Sequence, residues 1–202
     1  MSTETPTRPV YTFFEQVIAM TPGDPHLERC IQCGTCGGSC PSGGDMELTP
    51  RALFALLAAG EKESVLNSSG PWYCVSCYYC MARCPKDIHV TDLMYTLKRY
   101  ALQTGHHKRA NIRSASGFSG TFIWNVEHFG RSFELGLAAA YHLVHHPLGL
   151  PKMMPLALGL LTKGRMALLP RPIKHMAELK SILQKAKDLE EEDWQALEVG
   201  KE

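Results

Sequence analysis

No cysteine of this 202-residue chain stands outside two short runs. A scattered disulfide framework of the kind that staples small secreted domains is therefore not expected. The first residues, Met1 to Pro9, are polar and lack the apolar core of a secretory signal, which points to a reducing, cytoplasmic setting. Charge of one sign is also lacking. Lys and Arg number 21 against 20 Asp and Glu, a net charge of +1 that leaves no nucleic-acid footprint. Long apolar runs are missing too. Leu135 to Leu150 is interrupted by His142, His145, His146 and Pro147, and Met153 to Leu169 by Lys163 and Arg165. Neither offers the roughly 20 clean apolar residues of a membrane span. There is no G-x-G-x-x-G loop, hence no sign of a flavin or nicotinamide site. Alternating strand patterns are scarce, so a mostly α fold is expected.

What is present is one cysteine pattern written twice. The first copy is Cys30-x-x-Cys33-x-x-Cys36-x-x-x-Cys40-Pro41, and the second is Cys74-x-x-Cys77-x-x-Cys80-x-x-x-Cys84-Pro85. A [4Fe–4S] cube takes one thiolate per iron, and this run is the bacterial pattern that supplies them. Three cysteines at i, i+3 and i+6 wrap one side of a cube. The fourth, followed by proline, turns away toward the neighbouring cube. Two [4Fe–4S] clusters with crossed ligation are expected. Cys30, Cys33, Cys36 and Cys84 hold cluster 1, and Cys74, Cys77, Cys80 and Cys40 hold cluster 2. Gly34, Gly37 and Gly38 let the first coil pass close to its cluster. Zinc is the competing reading, because four-cysteine sites also begin with C-x-x-C. Structural zinc pairs two such dipeptides, however, and does not use a third cysteine at i+6 followed by Cys-Pro.

Around the motifs the chain reads as short helices. Residues 1–24 form a polar tail and a helix from Tyr11 to Met20, stopped by Pro22-Gly23. Asp24-Pro25 starts a short helix that runs into the first coil. Between the motifs Thr49 caps a helix opened by Pro50, with Leu48 stapled onto Leu53 and with Leu53, Leu56 and Leu57 inward. A second short helix runs from Glu61 to Asn67. Trp72 and Tyr73, just before Cys74, either shield a cluster from water or pack in the core. After Pro85, Thr91 or Asp92 caps a helix to about Gln103, with Met94, Leu97 and Ala101 inward. Residues 25–105 thus read as an α-helical ferredoxin domain.

Residues 106–202 read as a helical C-terminal extension. Phe122, Val126, Phe129, Phe133, Leu137, Tyr141 and Val144 step by three and four along one helix or two. The prolines from Pro147 to Pro172 mark a loop-rich region. A last helix starts near Lys174, with Met176, Leu179, Ile182, Leu183, Ala186 and Leu189 inward. The pairs His106-His107 and His145-His146 read as surface residues, since neighbours on a helix diverge. His89 is a candidate hydrogen-bond donor near a cluster. Arg29, Arg83 and Lys86 flank the cysteines and offer positive charge to a net negative cluster. Basic Lys98, Arg99, Lys108, Arg109 and Arg113, and acidic Asp188, Glu190, Glu191, Glu192 and Asp193, read as solvated faces or as docking sites for oppositely charged partners.

In Cys30-Ile-Gln-Cys-Gly-Thr-Cys-Gly-Gly-Ser-Cys-Pro-Ser-Gly43, Leu48-Thr-Pro-Arg51 and Trp72-Tyr-Cys-Val-Ser-Cys-Tyr-Tyr-Cys-Met-Ala-Arg-Cys-Pro85, the chain resembles the C subunit of heterodisulfide reductase. It is similar also to the corresponding C-type iron–sulfur proteins of bacterial heterodisulfide-reductase-like complexes. The resemblance covers about 25 to 105, and is weaker beyond, at Phe118 to Glu134 and Lys163-Gly-Arg165. It implies a dicluster protein that relays electrons between a flavin-containing A-type subunit and a catalytic B-type subunit. The catalytic partner's signature has paired cysteines, and no two cysteines are adjacent here, so no substrate site and no catalytic residue are expected in this chain. A free ferredoxin-like shuttle and a zinc-stapled helical interaction module are the alternatives.

Overall fold

A computed structural model describes residues 12–108, 113–145, 147–165 and 167–198. The tail 1–9, Tyr11, Arg109 and His146 lie outside the described residues. Ten α-helices, numbered in chain order, and four short 3-10 turns make up the regular structure of the described residues, which contain no β-strand. None of these helices is long and apolar enough to cross a membrane. The described chain divides into two compact units. Residues 12–108 and 192–198 belong to the first, and residues 113–191 to the second.

The first unit starts with α1, Phe13–Met20. Thr12 caps it in a reciprocal box. Its hydroxyl accepts from the Glu15 N–H, and the Glu15 carboxylate accepts from the Thr12 N–H at 2.7 Å. Asp24-Pro25 does not open an α-helix. Leu27–Arg29 is a single 3-10 turn, and His26 ahead of it takes φ +54°. The chain makes one tight turn there and enters the first cysteine coil. Within that coil, α2 is Thr35–Gly38. Helix α3, Pro50–Ala58, has Thr49 as N-cap and proline in its first turn. Helix α4 is Lys62–Leu66, α5 is Tyr79–Ala82 in the second coil, and α6 is Val90–Gln103.

Helix α6 is the centre of this unit. Val90, Leu93, Met94, Leu97, Tyr100 and Ala101 form its buried stripe, packed with Val17 and Met20 of α1, Leu53, Phe54 and Leu57 of α3, and Val65 and Leu66 of α4. Its N-cap is His89, and neither Thr91 nor Asp92. Thr91 lies in the first turn and is buried, while Asp92 approaches His89 Nδ1 at 3.6 Å. The carboxylate sits in the positive end of the helix, where it is stabilising without serving as the cap. Tyr100 ties the unit together. Its hydroxyl donates to Gln16 Oε1 at 2.7 Å and accepts from Lys62 Nζ at 2.9 Å. Its ring meets Phe13 edge-on at 5.3 Å and Trp194 at 5.0 Å.

In the second unit the apolar steps from Phe122 to Val144 become two helices, α7 over Arg113–Phe129 and α8 over Glu134–His145. Gly130 at φ +73° makes the break, and buried Asn125 accepts from the Phe133 N–H at 2.8 Å. The region read as loop contains α9, Leu150–Thr162, with Pro151 in its first turn and Pro155 inside it. Pro151 lands where its missing N–H costs nothing, which proline counting alone does not register. Helix α10 spans Met176–Glu198. Met176, Leu179 and Leu183 are half-buried, but Ile182 and Leu189 stay 66% and 48% exposed. The apolar stripe expected to face inward is covered only in part.

Candidate metal centre

The two cysteine coils share one backbone. In the first, Gln32 and Gly34 take φ +56° and +81°. In the second, Ser76 and Tyr78, at the same places in the pattern, take +55° and +60°. Left-handed residues on either side of the second cysteine curl each coil so that its first three thiols turn to one side. Short helices α2 and α5, carrying Cys36 and Cys80, follow and pack against each other.

This curl leaves a hollow against each coil. The first is lined by Cys30, Cys33, Cys36 and Cys84, the second by Cys40, Cys74, Cys77 and Cys80. The two hollows are of similar size. All eight cysteines are free thiols. Four sulfurs around each of two similar hollows, with apolar Phe54 and Ile88 behind the first and Met46 and Met94 behind the second, suit an iron–sulfur cube. Val90, at the start of α6, lines both hollows. One buried valine therefore forms part of the wall between them.

Polar groups near the sulfurs differ between the two sites. At the first, Gln32 Nε2 donates to Cys30 Sγ at 3.5 Å, and the Thr35 hydroxyl lies 3.4 Å from Cys33 Sγ. That hydroxyl holds the Cys33 thiol below its ordinary range. Burial pushes Cys36 up to about 11. At the second site burial raises Cys80, and the Thr91 hydroxyl 3.8 Å from its sulfur opposes the rise. Raised thiols favour the protonated form, so iron must displace protons when it binds.

Of the flanking cations, Lys86 lines the first hollow. Arg29 pairs with Glu28 at 3.5 Å, and Arg83 lies over the Tyr79 ring at 5.6 Å. Two other cations take the inner places. Arg51 of α3 lines the first hollow, and Lys98 Nζ donates to the Cys74 carbonyl at 3.3 Å. Burial lowers the Lys98 ammonium from its ordinary range. Arg51 lies beyond the first motif and Lys98 beyond the second, and only the packing of α3 and α6 brings them in. His89 turns to Asp92 and to the His26 ring, 5.8 Å away, and lines neither hollow. Trp72 packs half-buried on the core, whereas Tyr73 is exposed. Gly34 lines the first hollow, but Gly37 has a different task. A Cβ there would stand 3.2 Å from Thr49 Cβ, so its bareness seats α2 on the cap of α3.

The cysteine-bearing region also matches known proteins. The 4Fe-4S dicluster domain matches residues 26–88. The chain is 40% identical over 90 residues to the iron–sulfur C 2 subunit of CoB–CoM heterodisulfide reductase from Methanocaldococcus jannaschii, covering 45% of this chain and 48% of that protein. It is 42% identical over 89 residues to the C2 subunit of the H(2)/formate:CoB-CoM heterodisulfide,ferredoxin reductase of Methanococcus maripaludis, covering 44% and 48%. With the C subunit of the ferredoxin:CoB-CoM heterodisulfide reductase of Methanosarcina mazei it shares 38% over 86 residues, covering 41% and 53%. The matches thus span about half the length of each of these relatives. With its mostly α fold, eight cysteines and dicluster domain, the chain is an iron–sulfur protein carrying two [4Fe–4S] clusters, similar over that domain to the C subunits of heterodisulfide reductases.

Proposed function

We propose that this chain relays electrons within a heterodisulfide-reductase-like complex in the cytoplasm, between a flavin-containing A-type subunit and a catalytic B-type subunit. The observation that supports it best is the pair of hollows, each lined by three cysteines of one coil and the last cysteine of the other. In this reading Cys30, Cys33, Cys36 and Cys84 ligate cluster 1, and Cys74, Cys77, Cys80 and Cys40 ligate cluster 2. Each cluster supplies a one-electron redox couple. The protein's share of the work is to hold the two close across Val90, to keep water from the inner sulfurs with the α3 and α6 side chains, and to offset cluster charge with Arg51, Lys86 and Lys98. Residues 25–105 serve as the cluster domain, and residues 106–202 as an extension that docks partners. The exposed apolar residues of the second unit, Trp124, Leu143, Val144 and Leu158 among them, support that role, since such surface marks contact sites. No residue of this chain acts on substrate.

Iron and acid-labile sulfide analysis of anaerobically purified protein tests the reading. About eight irons per chain, four for each cube, are expected. Two zincs without sulfide would leave a zinc-stapled module. Co-purification from the native host tests the complex. A flavoprotein should accompany the chain, and a chain that elutes alone would be a free shuttle.

A further inference from the structure

The two coils have the same backbone, and each exposes an aliphatic residue, Ile31 or Val75, but they differ in aromatic content. Where the first carries Ile31, Gln32, Gly34 and Thr35, the second carries Val75, Ser76, Tyr78 and Tyr79. The difference at Gly34 and Tyr78 is the informative one. Both residues are left-handed, at φ +81° and +60°. Glycine adopts that conformation freely, and a tyrosine resists it. The coil itself therefore works with glycine, as its twin shows, and the second copy keeps a bulky ring at a strained position. Tyr78 lines the second hollow with part of its side chain and leaves the rest in solvent, at 53% exposure. Backbone strain retained at a half-exposed ring is a mark of a functional surface.

The neighbours extend the same face. Val75 is 66% and Tyr79 56% exposed, and Tyr73 and Tyr95 are also open to solvent. The Tyr95 hydroxyl is fixed by Ser76 at 2.6 Å, so this ring is held in place and not loose. Arg83 lies over Tyr79 at 5.6 Å and Lys98 over Tyr95 at 4.4 Å, so the face has an aromatic centre with cations on its rings. Of the nearby carboxylates, Asp92 is turned to His89, and Asp87 lies beyond Pro85. Val75, Ser76 and Tyr78 also form the wall of the second hollow. A molecule resting on this face is one layer of residues away from the second cluster.

We propose that the tyrosine face over the second coil is the docking surface for one electron-transfer protein, whose own surface presents an apolar centre and an acidic rim. The inference rests on the relay reading above. Exposed tyrosines with adjoining arginine are the residues that anchor interfaces, and the cations select the partner's charge. The face beside the first coil lacks these anchors, so the two ends of the relay are unlike and do not compete for the same partner.

The test exchanges a ring of this face that lines neither hollow for its counterpart in the first coil, Tyr79→Thr, in the full chain with both clusters loaded. The purified flavin-containing A-type and catalytic B-type proteins of the same host serve as probes, with affinity and stopped-flow electron transfer as readouts. The variant is expected to keep its iron, to melt no lower than the parent, and to be reduced by dithionite at the parent rate. Its affinity for one of the two proteins should fall about tenfold or more while the other is unchanged. The parent's affinity for that protein should fall as salt rises. Unchanged affinity for both would overturn the docking face and leave the relay reading standing. So would a loss confined to self-association of the chain, or to binding of vesicles of phosphatidylglycerol and phosphatidylcholine. A parent chain that binds neither protein would bring down the relay reading and this inference together.

Discussion

At the scale of single residues, the cysteines divide into those whose place is decided locally and those whose place is not. Cys30, Cys33 and Cys36 reach one hollow because only two residues of coil separate each from the next. Cys84 lines that hollow only because the second coil folds against the first. Crossed ligation therefore predicts that Cys84→Ser damages cluster 1 and leaves cluster 2 spectroscopically intact, and that Cys40→Ser does the reverse. Loss of cluster 2 alone in Cys84→Ser would contradict the assignment. Thr91 is legible in the sequence only as a helix start. It is instead the buried hydroxyl 3.8 Å from Cys80 Sγ. A donor near a ligand sulfur stabilises the more negative, reduced cluster and so raises its potential. Thr91→Val should lower the potential of cluster 2 alone, which a redox titration followed by electron paramagnetic resonance resolves. Equal shifts of both clusters would mean that the hydroxyl acts through the shared wall and not through Cys80.

At the scale of helices, caps and prolines are readable wherever they act on their own element. Thr49-Pro50 opens α3, and the apolar stripe of α6 is the one expected at Met94, Leu97 and Ala101. The first turn of α6 is harder to place because both Thr91 and Asp92 suit a cap by type, whereas the backbone bends at His89. Helix α9 is hidden because five prolines between 147 and 172 suggest loop, although one of them sits in a first turn where proline fits. What joins the helices of the first unit has no sequence signal at all. Tyr100, 1% exposed, links α1, α4 and α6 through Gln16 and Lys62. Tyr100→Phe keeps the ring contacts and removes the hydroxyl, leaving Gln16 Oε1 and the Lys62 ammonium without this partner. The expected cost is about 1 to 3 kcal/mol of unfolding free energy, read from urea denaturation with iron content unchanged. A variant as stable as the parent would show that water satisfies both groups.

At the scale of the whole molecule, the apolar core and the cluster sites are distinct parts of one unit. Leu53, Leu57, Leu93 and Leu97 are fully buried without any help from a metal, whereas α2 and α5 are single turns whose described side chains are exposed or half-buried except for Cys80. Such coils take much of their order from the bound metal. Stripping iron with acid and chelator should leave most of the far-ultraviolet helix signal, because α6 to α10 do not depend on it. The same treatment should open residues 30–40 and 74–84 to limited proteolysis. An identical cleavage pattern with and without iron would show that the coils stand by themselves.

The sequence alone determined the type and number of clusters and the helical class, because cysteine spacing and helix periodicity act over a few residues and survive without tertiary context. The packing of α3 and α6 decided which cations come near the sulfurs, that Val90 lines both hollows, and that Thr91 faces Cys80. It also left the aromatic side of the second coil in solvent while the first coil, on the same backbone, carries no aromatic ring. These outcomes depend on residues far apart in the chain meeting in space, and no local pattern carries that information.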